Sequence, residues 1–141
     1  EEMRVHGSLD VRPLFVPSVG RFAQGMIASL PLPLDALPGS PGLKDVHGAL
    51  VDHYQGQRFV SVAGLDEAAS MGHLDPEDLN GSNELRIFVF GNEKYGQAVI
   101  CALLDNLGKG AAGQAVQNMN LMLGLGDGAG IGAMLNKKSR K

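Results

Sequence analysis

Two apolar runs of strand length, Leu85–Phe90 (LRIFVF) and Gln97–Leu104 (QAVICALL), are separated only by Gly91-Asn92-Glu93-Lys94-Tyr95-Gly96. A connection this short joins neighbouring strands by reversing direction, because a parallel return needs a crossover of a dozen or more residues. The pair therefore reads as an antiparallel hairpin, and the rest of the chain has to be arranged around it.

Upstream, Val11–Val16 (VRPLFV) reads as a short strand with Pro13 at an edge position. After the turn-like Pro17-Ser18-Val19-Gly20, the apolar stretch Gly25–Leu34 (GMIASLPLPL) is expected to be extended. Pro31 and Pro33 lie two apart, so both missing N–H groups fall on one side of a strand, which again suits an edge. Leu37–Gly42 is punctuation, with Ser40 as an N-cap and Pro41 at the first helical position. Leu43, Val46, Leu50 and Tyr54 follow at helical spacing, and Gly56 stops the helix. Arg58–Ala63 (RFVSVA) alternates as a half-buried strand does.

Leu65–Asn83 is polar, small-residue-rich and without sustained period, a long excursion with a short helix near Asp66–Met71. Lys109–Leu123 reads as a helix with Ala112, Ala115, Val116, Met119 and Leu123 on one face. Gly124–Lys141 is too glycine-rich to fold alone, so residues 1–125 are taken as the domain and 126–141 as a poorly ordered, glycine-rich then basic tail. The expected fold class is α+β, a mixed and mostly antiparallel sheet with helices on one face.

Composition narrows the function classes. The 141 residues are 44% hydrophobic and 19% charged, which suits a packed domain and not a disordered chain. No apolar run approaches the roughly 18 residues of a membrane span, and Glu1-Glu2-Met3-Arg4 lacks the basic-then-apolar order of a signal peptide. With net charge −3 there is no basic field for nucleic acid, and Lys137, Lys138, Arg140 and Lys141 read as a solvated terminus. The single cysteine, Cys101, excludes an internal disulfide framework and suits a cytoplasmic setting. No membrane or nucleic-acid partner is expected.

The strongest chemical signal is Leu104-Asp105-Asn106-Leu107-Gly108-Lys109-Gly110-Ala111-Ala112-Gly113-Gln114-Ala115-Val116-Gln117-Asn118. It is a strand end, a polar pair, and a helix whose first turn is glycine and alanine. Such an opening exposes its first N–H groups and permits close backbone approach. Asn106 offers both a donor and an acceptor, as needed to hold a carboxamide. The alternative is a tight strand–helix turn with small residues for packing. Two other glycine patterns fail on context. Gly108-Lys109-Gly110 lacks the upstream glycine and following hydroxyl of a phosphate loop, and Gly128–Ala133 follows no strand.

The stretch Asp105–Met122 (DNLGKGAAGQAVQNMNLM) resembles the carboxy-terminal signature of N-acetyl-γ-glutamyl-phosphate reductases. Leu14–Met26 (LFVPSVGRFAQGM) matches a second block of that family in the right order, and the Gly81-Ser82-Asn83 element is similar to its shorter, bacterial type. The resemblance runs from about Met3 to Leu125. It implies the second, oligomerisation domain of a semialdehyde-dehydrogenase-type reductase, which turns an acyl phosphate into an aldehyde with NADPH in arginine biosynthesis. It also implies a cysteine thiolate nucleophile, an acid–base histidine and a Rossmann portion for NADP.

Residue by residue, the resemblance places Asn106, Gly108 and Gly110 near the nicotinamide end of NADP. Arg21 is either near the substrate's anionic groups or a surface side chain, and Lys109 is read as solvated. No catalytic residue is nominated. Cys101 sits inside an apolar strand and reads as a core residue, and His6, His47, His53 and His73 form neither a metal-ligand spacing nor a triad. The nucleophile and histidine are therefore expected upstream of Glu1, in an amino-terminal Rossmann portion that partners this one. A homo-oligomer through the sheet is expected, with an apolar patch on the Lys109–Leu123 helix that packs against that missing portion. The alternative is a catalytically silent oligomerisation or interaction module.

Overall fold

The computed structural model describes residues 5–7 and 13–131. Its centre is the expected hairpin. Strand β3 (Leu85–Asn92) pairs antiparallel with β4 (Gln97–Leu104), from Leu85 opposite Leu104 to Asn92 opposite Gln97. A single 3-10 turn at Glu93–Tyr95 closes it, with Gly96 left-handed at φ 58°. Strand β1 (Met26–Pro33) adds antiparallel to the other side of β4. Strand β2 (Val60–Val62) runs parallel to β3, so the sheet order is β1-β4-β3-β2.

Helix α1 (Leu43–His53) packs on β2 and β3, and the short α2 (Leu65–Ser70) on β3. The parallel return from β2 to β3 requires a long crossover, and the polar excursion supplies it. Three apolar side chains at irregular spacing, Met71, Leu74 and Leu79, hold that excursion against the core of Phe88, Cys101, Leu103, Ala63 and Ala68. Because Ile87, Phe88 and Val89 are buried in succession, β3 is covered on both faces, as its unbroken apolar run implies. The domain is α+β with a mostly antiparallel sheet, as expected.

Three local expectations are corrected. Val11 and Arg12 lie outside the described residues, but Pro13–Val16 forms no strand, and Phe15 is 79% exposed. Strand propensity without a neighbouring strand gives no ladder, and here none is offered. Ser40 does not cap α1. It takes φ +45° in a turn closed by its N–H on the Leu37 carbonyl, and the helix opens at Gly42, whose N–H donates to Asp45 at 2.8 Å. The expected Lys109–Leu123 helix opens instead with a wide π-helical turn, Gly108–Ala112, which continues without a break into α3 (Gly113–Met122).

Helix α3 also turns the opposite way from its apolar pattern. Lys109, Gly113 and Asn120 are buried, while Ala112, Ala115, Met119 and Leu123 face solvent. The Asn120 side-chain amide donates to the carbonyls of Asp127 (3.1 Å) and Ala129 (2.8 Å), which folds the glycine-rich stretch back and buries Ile131.

Candidate functional site

The end of β4 carries a polar knot. Asp105 is 1% exposed and its carboxylate is fully engaged. Oδ1 accepts the N–H groups of Leu107 and Gly108, each at 2.9 Å. Oδ2 accepts the Gly81 N–H at 2.7 Å and the Gln24 side-chain amide. The Asp105 carbonyl takes the Gly110 N–H at 2.8 Å, a bond that helps define the wide turn. One side chain thus joins the Gln24 segment before β1, the Gly81 loop before β3 and the turn after β4. A buried carboxylate is tolerated when donors surround it in this way. Burial pushes the Asp105 carboxyl up, but the Gly81, Gly108 and Leu107 N–H groups and the Gln24 amide outweigh it and hold it below its ordinary value.

Asn106 is the next residue. Its Oδ1 accepts the Gly25 N–H at 2.8 Å, which fixes the amide's orientation. Among the described residues its Nδ2 has no acceptor. Asn106 forms part of a cleft of about 440 Å³, with Ser18, Gly20, Phe22 and Met26 on its walls. The cleft therefore presents one unspent amide donor suited to a carbonyl or carboxamide oxygen.

Two glycines make this packing feasible. Gly25 has φ +114°, and a Cβ there would sit 2.2 Å from the Pro76 carbonyl oxygen. The Asn80 side-chain amide donates to the Gln24 carbonyl at 3.0 Å and steadies the same turn. A Cβ at Gly113 would meet the Asn83 Oδ1 at 2.0 Å. That buried oxygen has no hydrogen-bond donor, while the Asn83 Nδ2 donates to Gln117 Oε1 at 3.4 Å.

Of the residues singled out from the sequence, Asn106 lines the cleft. The N–H groups of Gly108 and Gly110 are both spent on Asp105, and a Cβ at Gly108 would meet the Ser82 carbonyl oxygen at 2.8 Å, so that glycine serves close packing within the fold. Arg21 is exposed between Gly20 and Phe22, which line the cleft. Lys109 is not solvated as expected. It is 7% exposed, donates to Gln117 Oε1 at 2.8 Å, and lies 5.7 Å from the Phe59 ring centroid. Burial lowers its pKa and nearby Asp127 only partly offsets this. Cys101 is buried in β4 with its sulfur 3.5 Å from the Ser29 hydroxyl. His47 contacts the Ala63 carbonyl at 3.0 Å, and no metal-binding cluster occurs among the described residues. None of the described helices is long and apolar enough to cross a membrane.

Sequence reading missed Asp105 as the organiser and Gln24 and Gly81 as donors to it. Their signal was the blocks that contain them, Leu14–Met26, Gly81–Asn83 and Asp105–Met122, which gave the residues without their contacts.

Comparison with known proteins decides the family. Residues 1–106, which include all four strands, match the semialdehyde dehydrogenase dimerisation domain. The chain belongs to that family. This dimerisation-domain chain is 57% identical over 123 residues to the N-acetyl-gamma-glutamyl-phosphate reductase of Brucella ovis, covering 87% of the chain and 40% of that relative. The same figures hold for the Brucella canis and Brucella suis reductases. The chain thus spans about 40% of the length of these curated relatives. Asp105 and Asn106 are the last two residues of the family match, so the knot joins the dimerisation domain to the turn and helix that follow it.

Proposed function

We propose that this chain is the carboxy-terminal portion of an NADP-dependent N-acetyl-γ-glutamyl-phosphate reductase of arginine biosynthesis, working in the cytoplasm. The observation that carries the reading is the 57% identity to reductases of that name. The reaction converts the 5-phosphate of N-acetylglutamate to the 5-semialdehyde and releases phosphate. NADPH supplies the hydride when bound. The cleft fits the nicotinamide end of such a cofactor, since the unspent Nδ2 of Asn106 matches a carboxamide oxygen. By the same reading Gly108 and Gly110, in the turn that follows Asn106, lie towards that ring, and Arg21 attracts the substrate's anionic groups at the cleft's rim.

The nucleophilic thiolate and the nucleotide-binding portion come from outside these residues, because Cys101 is buried in the sheet. The chain alone is then inactive, and the domain self-associates through its sheet. A second reading, a catalytically silent association module, is favoured by the matched family being a dimerisation domain.

The test runs the reaction in reverse, following NADP reduction with N-acetylglutamate semialdehyde and phosphate. The chain is assayed alone and together with the amino-terminal portion of a related reductase. Activity only in the combined sample supports the reductase. Activity in neither favours the silent module, and activity of the chain alone refutes the assignment of the nucleophile elsewhere.

A further inference from the structure

Gly81 supplies the N–H that fastens the loop before β3 to Asp105, and the residue before it is Asn80. Of the seven asparagines in the chain, Asn80 alone is followed by glycine. Without a Cβ, glycine leaves its backbone nitrogen uncrowded and able to reach the carbonyl carbon of the preceding asparagine side chain. In that reaction the Gly81 nitrogen bonds to Asn80 Cγ and the Cγ–Nδ2 bond breaks. The proton lost from Gly81 leaves, through solvent, with Nδ2 as ammonia. Water then opens the cyclic imide at either carbonyl, giving aspartate or isoaspartate at position 80. Nothing is oxidised or reduced.

The fold restrains each atom that this reaction uses. The attacking nitrogen carries its proton on Asp105 Oδ2 at 2.7 Å, and Gly81 is fixed at φ +76°. The leaving nitrogen, Asn80 Nδ2, donates to the Gln24 carbonyl at 3.0 Å, with Glu77 Oε1 at 3.4 Å. The side-chain oxygen, Asn80 Oδ1, is buried with no hydrogen-bond donor, and a Cβ at Gly25 would lie 3.1 Å from it. Negative charge builds on this oxygen as the ring closes, and no donor is placed to stabilise it.

Conversion has consequences beyond position 80. Aspartate there sets a carboxylate against the Gln24 carbonyl and the Glu77 carboxylate, where Nδ2 now donates. Isoaspartate lengthens the main chain by one carbon and moves Gly81 away from Asp105. Either product removes the support of the Gln24–Gly25 turn, whose Gly25 N–H holds the Asn106 amide in the cleft.

We propose that Asn80–Gly81 is a deamidation site that the Asp105 knot keeps closed in the folded chain, and that conversion there opens the knot and unseats Asn106. The site is a one-way switch, because no group of the chain restores the amide. The inference uses contacts within this chain only, so it stands or falls apart from the reductase reading.

The test incubates the 141-residue chain in mildly alkaline buffer, folded and in urea, and follows every asparagine by peptide mapping with mass spectrometry. In urea, Asn80 is expected to convert first. In the folded chain its conversion is expected to be about tenfold slower or more, because it waits for local opening. Asp105→Ala removes the acceptor of the Gly81 N–H, and Asp105→Asn removes its charge. Whichever variant keeps the parent's circular dichroism is expected to convert faster than the folded parent. The converted parent, isolated by ion exchange, is expected to unfold at lower urea. Earlier conversion of another asparagine in urea overturns the proposal, as do equal rates for the folded and unfolded parent. A folded Asp105 variant that converts at the parent's rate removes the knot as the restraint, and an unchanged urea midpoint of the converted chain refutes its opening.

Discussion

The carboxylate of Asp105 accepts the backbone N–H of Gly81 at 2.7 Å across 24 positions of sequence. This contact fastens the loop before β3 to the turn after β4, and the same oxygen also receives the Gln24 amide. Asn106, one residue on, inherits its position in the cleft from that fastening.

Replacing Asp105 by Asn keeps the shape but removes the charge and one acceptor oxygen. The donors on the replaced oxygen, either Gly81 with Gln24 or Leu107 with Gly108, are then left buried without an acceptor. Asp105→Asn is expected to lower stability by about 2–4 kcal/mol at pH 7, measured by urea unfolding. A loss below about 0.5 kcal/mol would show that the knot is not needed for the fold.

The pH dependence has a defined sign. The folded carboxyl of Asp105 is held below its unfolded value of about 3.9, so its stabilisation is present above that value. It is lost as pH falls through the folded pKa. The parent chain should therefore lose stability on acidification below about pH 4 more steeply than Asp105→Asn. Parallel stability curves for the two proteins would contradict this.

Gly113→Ala drives a methyl group to 2.0 Å from the Asn83 oxygen. About 2–4 kcal/mol of destabilisation is expected, since the same methyl also meets the Gly108 carbonyl oxygen, a backbone atom, at 2.8 Å. Adding Asn83→Ala should recover part of that loss, because it removes the clash and an unpartnered buried oxygen together. A double variant no more stable than Gly113→Ala alone would place the strain elsewhere, and a thermodynamic cycle from urea midpoints measures it.

Lys109 is buried with Gln117 as its hydrogen-bond acceptor, and burial lowers its pKa from the ordinary lysine value. The unfolded chain keeps the proton to higher pH than the folded one, so stability should rise as pH increases towards about 10.4. Lys109→Met should remove that rise and stabilise the chain at pH 7 by about 0.5–1.5 kcal/mol. Destabilisation by Lys109→Met would mean that its contacts outweigh its desolvation.

Asn106→Asp separates the two jobs of one side chain. The oxygen that accepts the Gly25 N–H is retained, while the amide donor facing the cleft is lost. In the reductase proposed above, cofactor affinity should fall at least about tenfold, or roughly 1.4 kcal/mol, with the urea midpoint of this chain little changed. Unaltered affinity would remove Asn106 from the cofactor site.

The sequence by itself determined the elements whose signals are local. The β3–β4 hairpin followed from two apolar runs and a short glycine-flanked link. The edge placement of β1 followed from Pro31 and Pro33, and α1 from the spacing of Leu43, Val46, Leu50 and Tyr54. The importance of Asp105–Asn118 was also legible, because a strand end, a polar pair and a bare helix opening are contiguous there.

Only the tertiary structure decided what these residues touch. The donors around Asp105 come from Gln24, Gly81 and the following turn, and no periodicity in one segment encodes a partner in another. The inward face of α3 is polar because Lys109 and Gln117 meet Asn83 there, so side-chain hydrogen bonding overrode the apolar stripe that a helical pattern assigns to the core. Residues 13–16 have the composition of a strand, but a strand exists only where another offers its backbone, and that condition is set by the whole fold.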